Sequence, residues 1–182
     1  MLFWHVGATI AIARYSFRDD RMDLRMLVVG ALLPDLVDTP IGLLFYDSLG
    51  GVRLVTHGLL LASTVMVVVV LSTRRGRPRK TWMPLAIGLL FHLLLDAMWL
   101  DPETLWWPLF GPAFTAAGPE SASASAYISS VLTDWKVWAA EAAGLIYLAY
   151  LWSVSKLGDP ANRRELMRTG RVNAPIDGDV SC

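Results

Sequence analysis

GALLPDLVDTP, from Gly30 to Pro40, sets two carboxylates, Asp35 and Asp38, and two prolines inside an otherwise apolar run. An ionised carboxylate in apolar surroundings is costly unless it is paired or holds a cation. Three further residues in equally apolar company can supply partners: His57 in VTHGLL, and His92 and Asp96 in FHLLLDAMW. The pattern predicts an all-α polytopic membrane protein with a buried metal site.

The composition agrees. Of 182 residues, 54% are hydrophobic and 18% charged, and the mean hydropathy is +0.45, too apolar for an ordinary soluble domain. The net charge is zero but the charges are unevenly placed: RRGRPRK, Arg74 to Lys80, would in isolation suit nucleic acid, and between two apolar spans it reads as a topology signal, so no nucleic-acid partner is expected. The single cysteine, Cys182, excludes an internal disulfide and a cysteine metal cluster.

Working outward, Leu2 to Tyr15 is apolar but spans only about 21 Å as a helix, short of the roughly 30 Å hydrocarbon core. Its basic residues follow it rather than precede it, which argues against a cleaved signal peptide. Met26 to Tyr46 contains Pro34 and Pro40, so bends are expected at Leu33 and Thr39 and the segment is expected to be broken. Broken membrane helices line cavities, because freed backbone groups need partners; a surface re-entrant turn with solvated acids is the other reading. Val52 to Thr73, Trp82 to Leu100 and Asp134 to Ser155 are further spans, making four to five membrane segments. Asp101 to Ser130, rich in Pro, Gly, Ala and Ser, reads as loop. Residues 1–155 form the membrane domain and 156–182 a basic, partly disordered tail.

All of the 16 Lys and Arg except Arg53 and Lys136 fall within residues 14–25, 74–80 and 156–171. An alternating path puts those three clusters, and the C-terminus, on one side, which the positive-inside rule makes cytoplasmic. This predicts a multi-pass protein of the inner cell membrane. Helical rise from the nearest basic cluster then puts His5, Asp35, Asp38, His57, His92, Asp96 and Glu141 at depths between roughly 13 and 25 Å, one slab open to the outer face.

His92 and Asp96 are spaced i and i+4 and share a helical face; Asp35 and Asp38 at i and i+3 do so if their turn is helical. Imidazole and carboxylate donors suit Zn, Mn or Fe, and the several acids also admit Mg or a two-metal site. Taken singly, His57 reads as a core histidine on a backbone carbonyl and Asp96 as an acid near the membrane surface. Taken as a set, they read as ligands.

In order along the chain, His5, LLPD at 32–35, Thr56-His57, Gly88 with His92 and Asp96, and Trp107-Pro108 resemble the YdjM-type family of membrane-bound, predicted metal-dependent hydrolases. The family pattern runs approximately GH, LLPDIDHP, HRGxTHSLL, GxxxHxxxD and LLWP, and the resemblance covers about residues 1–112. It implies metal ligation by His5, Asp35, His57, His92 and Asp96, with Arg53 matching the Arg before the TH pair. DLVDTP stands here in place of DIDHP, and Gly58 in place of Ser. Asp38 then stands in for the missing ligand, or the site holds fewer metals.

The expected function is membrane-embedded, metal-dependent hydrolysis of a phosphoester or other lipid-linked substrate reached from the outer half of the bilayer. Asp38 or Glu141 would serve as ligand or general base, and Arg53 would hold an anionic group. Trp99, Trp106 and Trp107 read as an interfacial belt, where such a substrate would arrive. Two other classes use the same residues: a small transporter or proton- or ion-conducting protein, and a bundle whose polar residues only hold helices together. No internal repeat of the kind many transporters carry is visible.

Overall fold

The computed structural model describes residues 1–19, 21–111, 114, 123–172 and 174. Among them are nine α-helices and no strand: α1 Leu2–Phe17, α2 Leu24–Leu44, α3 Tyr46–Leu49, α4 Leu59–Ser72, α5 Arg77–Leu95, α6 Pro102–Leu105, α7 Ala124–Thr133, α8 Trp135–Val154 and α9 Pro160–Thr169. Single 3-10 turns, Val55–His57 and Met98–Leu100, precede α4 and follow α5.

The central element is α2, packed along α5. Its carboxyl-bearing start is fixed by Asp23, whose side chain accepts the backbone N–H groups of Arg25 and Met26. Leu24, Leu27, Ala31, Pro34 and Asp38 are its buried stripe, at i, i+3, i+7, i+10 and i+14. The crossing with α5 is close because it is made by small residues. A Cβ on Gly30 would collide with the Leu85 carbonyl, and one on Gly88 with the Leu27 carbonyl. On the other side of the bundle, α1 lies against α8 through Gly7 and Gly144 in the same way.

The expected break in the second segment does not occur: α2 is helical through both Pro34 and Pro40. An interior proline costs about 3 kcal/mol in an isolated helix, and here packing offsets it. Pro34 is buried in the α2 stripe, and the Thr56 hydroxyl donates to its carbonyl at 3.3 Å. Pro40 lies one turn from the end of α2, which is Leu44.

Two helices, α2 and α8, are long and apolar enough to cross a membrane. The expected span Val52–Thr73 is divided: its first part is the turn that carries His57, leaving a 14-residue apolar helix. The expected span Trp82–Leu100 begins earlier, at Arg77, with Pro78 seated in the first turn, where a missing N–H costs nothing. Large apolar side chains on α4 and α8, among them Val67, Leu71, Ile146 and Trp152, face outward.

The stretch expected as loop from 101 to 130 contains α6 and the start of α7; residues 112, 113 and 115–122 lie outside the described residues. Within the tail 156–182, expected to be partly disordered, the described residues include α9 and return to the bundle. Leu24 donates its N–H to the Gly170 carbonyl at 2.7 Å, Arg14 donates to the Ala174 carbonyl at 2.9 Å, and Val172 packs with Ile10 and Leu27. Asp20, Asn173 and residues 175–182, with Cys182, lie outside the described residues.

Candidate metal centre

The helix face that buries Pro34 also presents Asp38, and Asp38 organises the connection that follows α3. Its Oδ2 accepts the backbone N–H groups of Leu54 at 2.9 Å, Thr56 at 2.9 Å and His57 at 3.1 Å, and the His57 Nδ1 at 2.8 Å. A carboxylate so placed can only accept, so Nδ1 carries a proton, and in the neutral ring His57 Nε2 is left with its lone pair. Asp38, expected as a ligand or general base, therefore orients His57 from behind, and the ligand atoms that converge are those of Asp35, His57, His92 and Asp96.

His92 is treated alike by α2. Its Nδ1 donates to the Ala31 carbonyl at 2.7 Å, so its Nε2 is also unprotonated in the neutral ring. The two Nε2 atoms face each other at 3.2 Å. With both rings neutral, two lone pairs at that distance repel, and either a proton or a metal ion between them relieves the repulsion.

The carboxylates converge on the same point. Asp35 Oδ1 lies 3.6 Å from His57 Nε2 and 3.8 Å from His92 Nε2, and Asp96 Oδ2 lies 3.8 Å from His57 Nε2. Asp96 is the residue that ends α5, one turn beyond His92, as the i and i+4 spacing requires. One atom from each of Asp35, His57, His92 and Asp96 can be chosen so that all lie within 4.8 Å of one another.

His5 enters from α1. Its ring stacks on His92 with centroids 4.3 Å apart, its Nδ1 donates to the Met1 carbonyl, and its Nε2 sits 3.0 Å from Asp96 Oδ1. Arg53 reaches Asp96 Oδ2 at 3.3 Å from the 52–58 connection. Glu141 is employed elsewhere: it accepts the Phe3 backbone N–H at 2.7 Å, tying α8 to the first turn of α1.

A cavity of about 260 Å³ opens onto the cluster, lined by Asp35, Arg53, His57 and Asp96 together with Tyr127, Val131 and Val137. Tyr127 was not legible as a site residue, because the Ala- and Ser-rich stretch around it reads as loop. The Ala31 and Met1 carbonyls carry no side-chain signal at all. A hollow of about 320 Å³ near Phe17 and Lys80 has no histidine in its wall.

The donor chemistry fits a divalent cation. Two ligands at about 2.0–2.1 Å from a tetrahedral ion are themselves roughly 3.3–3.4 Å apart. The two Nε2 atoms are 3.2 Å apart. Both rings are held in the metal-binding tautomer by hydrogen bonds from behind, as is usual for histidine ligands.

Fold and site together define an all-helical membrane protein with a His/Asp cluster that could hold a metal ion. The model of the YdjM inner membrane protein family matches residues 4–159, and the chain belongs to that family. None of the curated proteins or solved structures compared with the chain matches it.

Proposed function

We propose that the chain is a membrane-embedded, metal-dependent hydrolase acting on a phosphoester or another lipid-linked substrate reached from the outer half of the bilayer. The observation that carries this reading is the pair of Nε2 atoms of His57 and His92 facing each other at 3.2 Å, each ring held through Nδ1 from behind, with two carboxylates around them. A divalent ion held by Asp35, His57, His92 and Asp96 would polarise a phosphoryl or carbonyl oxygen and lower the pKa of a water.

The chain's own groups do the rest. Asp38 and the Ala31 carbonyl hold the two imidazoles in one orientation. Arg53, at the cavity wall, is placed to receive the anionic group of a substrate, and its guanidinium suits the bidentate geometry of phosphate. Val131 and Val137 give the same cavity an apolar side that suits a lipid chain.

In this reading α1, α4 and α5 join α2 and α8 within the bilayer, giving four to five membrane segments. The three basic clusters, residues 14–25, 74–80 and 156–171, then lie on the cytoplasmic side together with α9 and the C-terminus. The outward-facing apolar side chains of α4 support it, since lipid accepts such a surface and water does not.

The deciding experiment is elemental analysis of the detergent-purified chain against a folded His92→Ala variant. One or more equivalents of metal in the wild type, lost in the variant, support the reading and justify phosphoester screens. No metal in either, after incubation with Zn, Mn and Mg, removes it; cation flux through proteoliposomes would then favour transport.

A further inference from the structure

We infer that the centre takes two divalent cations, the second held between His5 and Asp96, with the Asp96 carboxylate bridging the pair. The inference rests on the metal reading above and goes beyond it in nuclearity and in the role of His5.

His5 is fully buried. Its Nδ1 proton goes to the Met1 carbonyl, which leaves Nε2 as a lone pair, and that nitrogen makes no hydrogen bond. Asp96 Oδ1 is nevertheless 3.0 Å away. With the ring neutral these are two acceptors at that distance, the His5 nitrogen shielded from water and Asp96 at the cavity wall, and a positive centre between them suits the arrangement. A protonated ring would supply charge but no aimed N–H, because Asp96 Oδ1 lies off that line and Nε2 makes no hydrogen bond to it. A cation on the ring axis suits the arrangement, because it would take the oxygen from the side.

Asp96 divides its two oxygens. Oδ2 lies 3.8 Å from His57 Nε2, on the side of the first ion, while Oδ1 faces His5. One carboxylate presenting an oxygen to each of two imidazole groups is the geometry of a bridged pair, whose ions stand about 3.5–4 Å apart. With two protein donors and a cavity beside Asp96, the second ion keeps positions open for water or for substrate oxygens. Mn and Mg accept such a site, since they are commonly held by one or two carboxylates together with substrate phosphates.

The test is manganese loading of the full chain in detergent, read by elemental analysis and by electron paramagnetic resonance. Two Mn per wild-type chain with an exchange-coupled spectrum, falling to one Mn with an isolated-ion six-line spectrum in His5→Ala, is the expected result. One Mn per wild-type chain, lost in His92→Ala, overturns the second site and leaves the metal reading standing. Two Mn retained in a folded His5→Ala also overturns it, and no Mn in wild type overturns both. Should His5→Ala fail to fold, the wild-type stoichiometry and spectrum decide alone.

Discussion

Asp38 fixes His57 by both its ring and its backbone: one oxygen, Oδ2, lies 2.8 Å from Nδ1 and 3.1 Å from the His57 amide nitrogen. The two substitutions that remove the charge should therefore part company. Asp38→Asn keeps an acceptor and folds, but holds the imidazole less firmly, and metal affinity should fall about 10–100-fold. Asp38→Ala takes the acceptor from the N–H groups of Leu54 and Thr56, at about 1–3 kcal/mol each, while the His57 amide keeps the Leu54 carbonyl, and it should unfold at markedly lower temperature. Metal titration and thermal melts of both variants check this; equal affinity in wild type and Asp38→Asn would deny Asp38 its orienting role.

If a cation relieves the repulsion between His57 and His92, removing it should destabilise the fold. A ligand at about 100 times its Kd adds roughly 2.7 kcal/mol, and at this chain length each kcal/mol moves Tm by about 2–4 °C. A strong chelator should lower the wild-type Tm by about 5–10 °C. His92→Ala should show no chelator effect, and a wild-type Tm indifferent to chelator would count against a resident ion.

Much of this centre was legible because its logic is chemical. Asp35, His57, His92 and Asp96 stood out as ionisable groups in apolar company, and a count of helical rise put them at one level. What the sequence hid was the division of labour. Asp38 and Asp35 look equivalent from spacing alone; only the fold turns Asp38 toward the 54–57 backbone and Asp35 toward the imidazoles. Pro34 signals a break by local rules, and tertiary packing against α5 and Thr56 overrides it. The α7 stretch has small polar residues that favour no state strongly, so Tyr127 could not be placed.

The close crossing of α2 and α5 positions the site as well as the fold, because the Ala31 carbonyl that anchors His92 lies one residue from Gly30. Gly88→Ala would push its Cβ into the Leu27 carbonyl and the Ala31 amide. Overpacking of this kind costs about 1–3 kcal/mol, and the shift it forces should also loosen His92. The expected outcome is a lower Tm together with weaker metal retention, measured on the same preparation. Gly158→Ala, where a Cβ meets nothing within 4 Å, serves as the control.

Arg53 touches the cluster only through Asp96, with a half-exposed side chain at the cavity wall. Arg53→Ala should therefore leave metal content near wild type while weakening inorganic phosphate binding. Hydrogen bonds to a charged group are worth about 1.5–3 kcal/mol, so a roughly 10–100-fold rise in Kd by calorimetry is expected. Unchanged phosphate affinity would exclude Arg53 as the anion-holding group, and loss of metal would assign it to the centre itself.

The last prediction concerns pH and lies away from the metal, at the start of α2. Burial pushes the Asp23 carboxyl upward, but the hydrogen bond and charge of Arg25, with the Met26 and Arg25 amides, outweigh it and hold Asp23 below its ordinary 3.8. The folded state therefore binds the Asp23 proton less readily than the unfolded chain, which is the greater proton binder in this range. The stability Asp23 contributes is complete above the unfolded value, about 3.9, and is lost as pH falls through the depressed folded one. Asp23→Asn removes that dependence while keeping a capping side chain at the same position. The Tm difference between wild type and Asp23→Asn should hold steady from pH 7 to about 5 and shrink toward pH 3. Asp19, paired with Lys80 at 2.9 Å, titrates in both proteins and cancels in the difference. A difference that stays constant down to pH 3 would mean that Asp23 supports α2 through shape alone, without its charge.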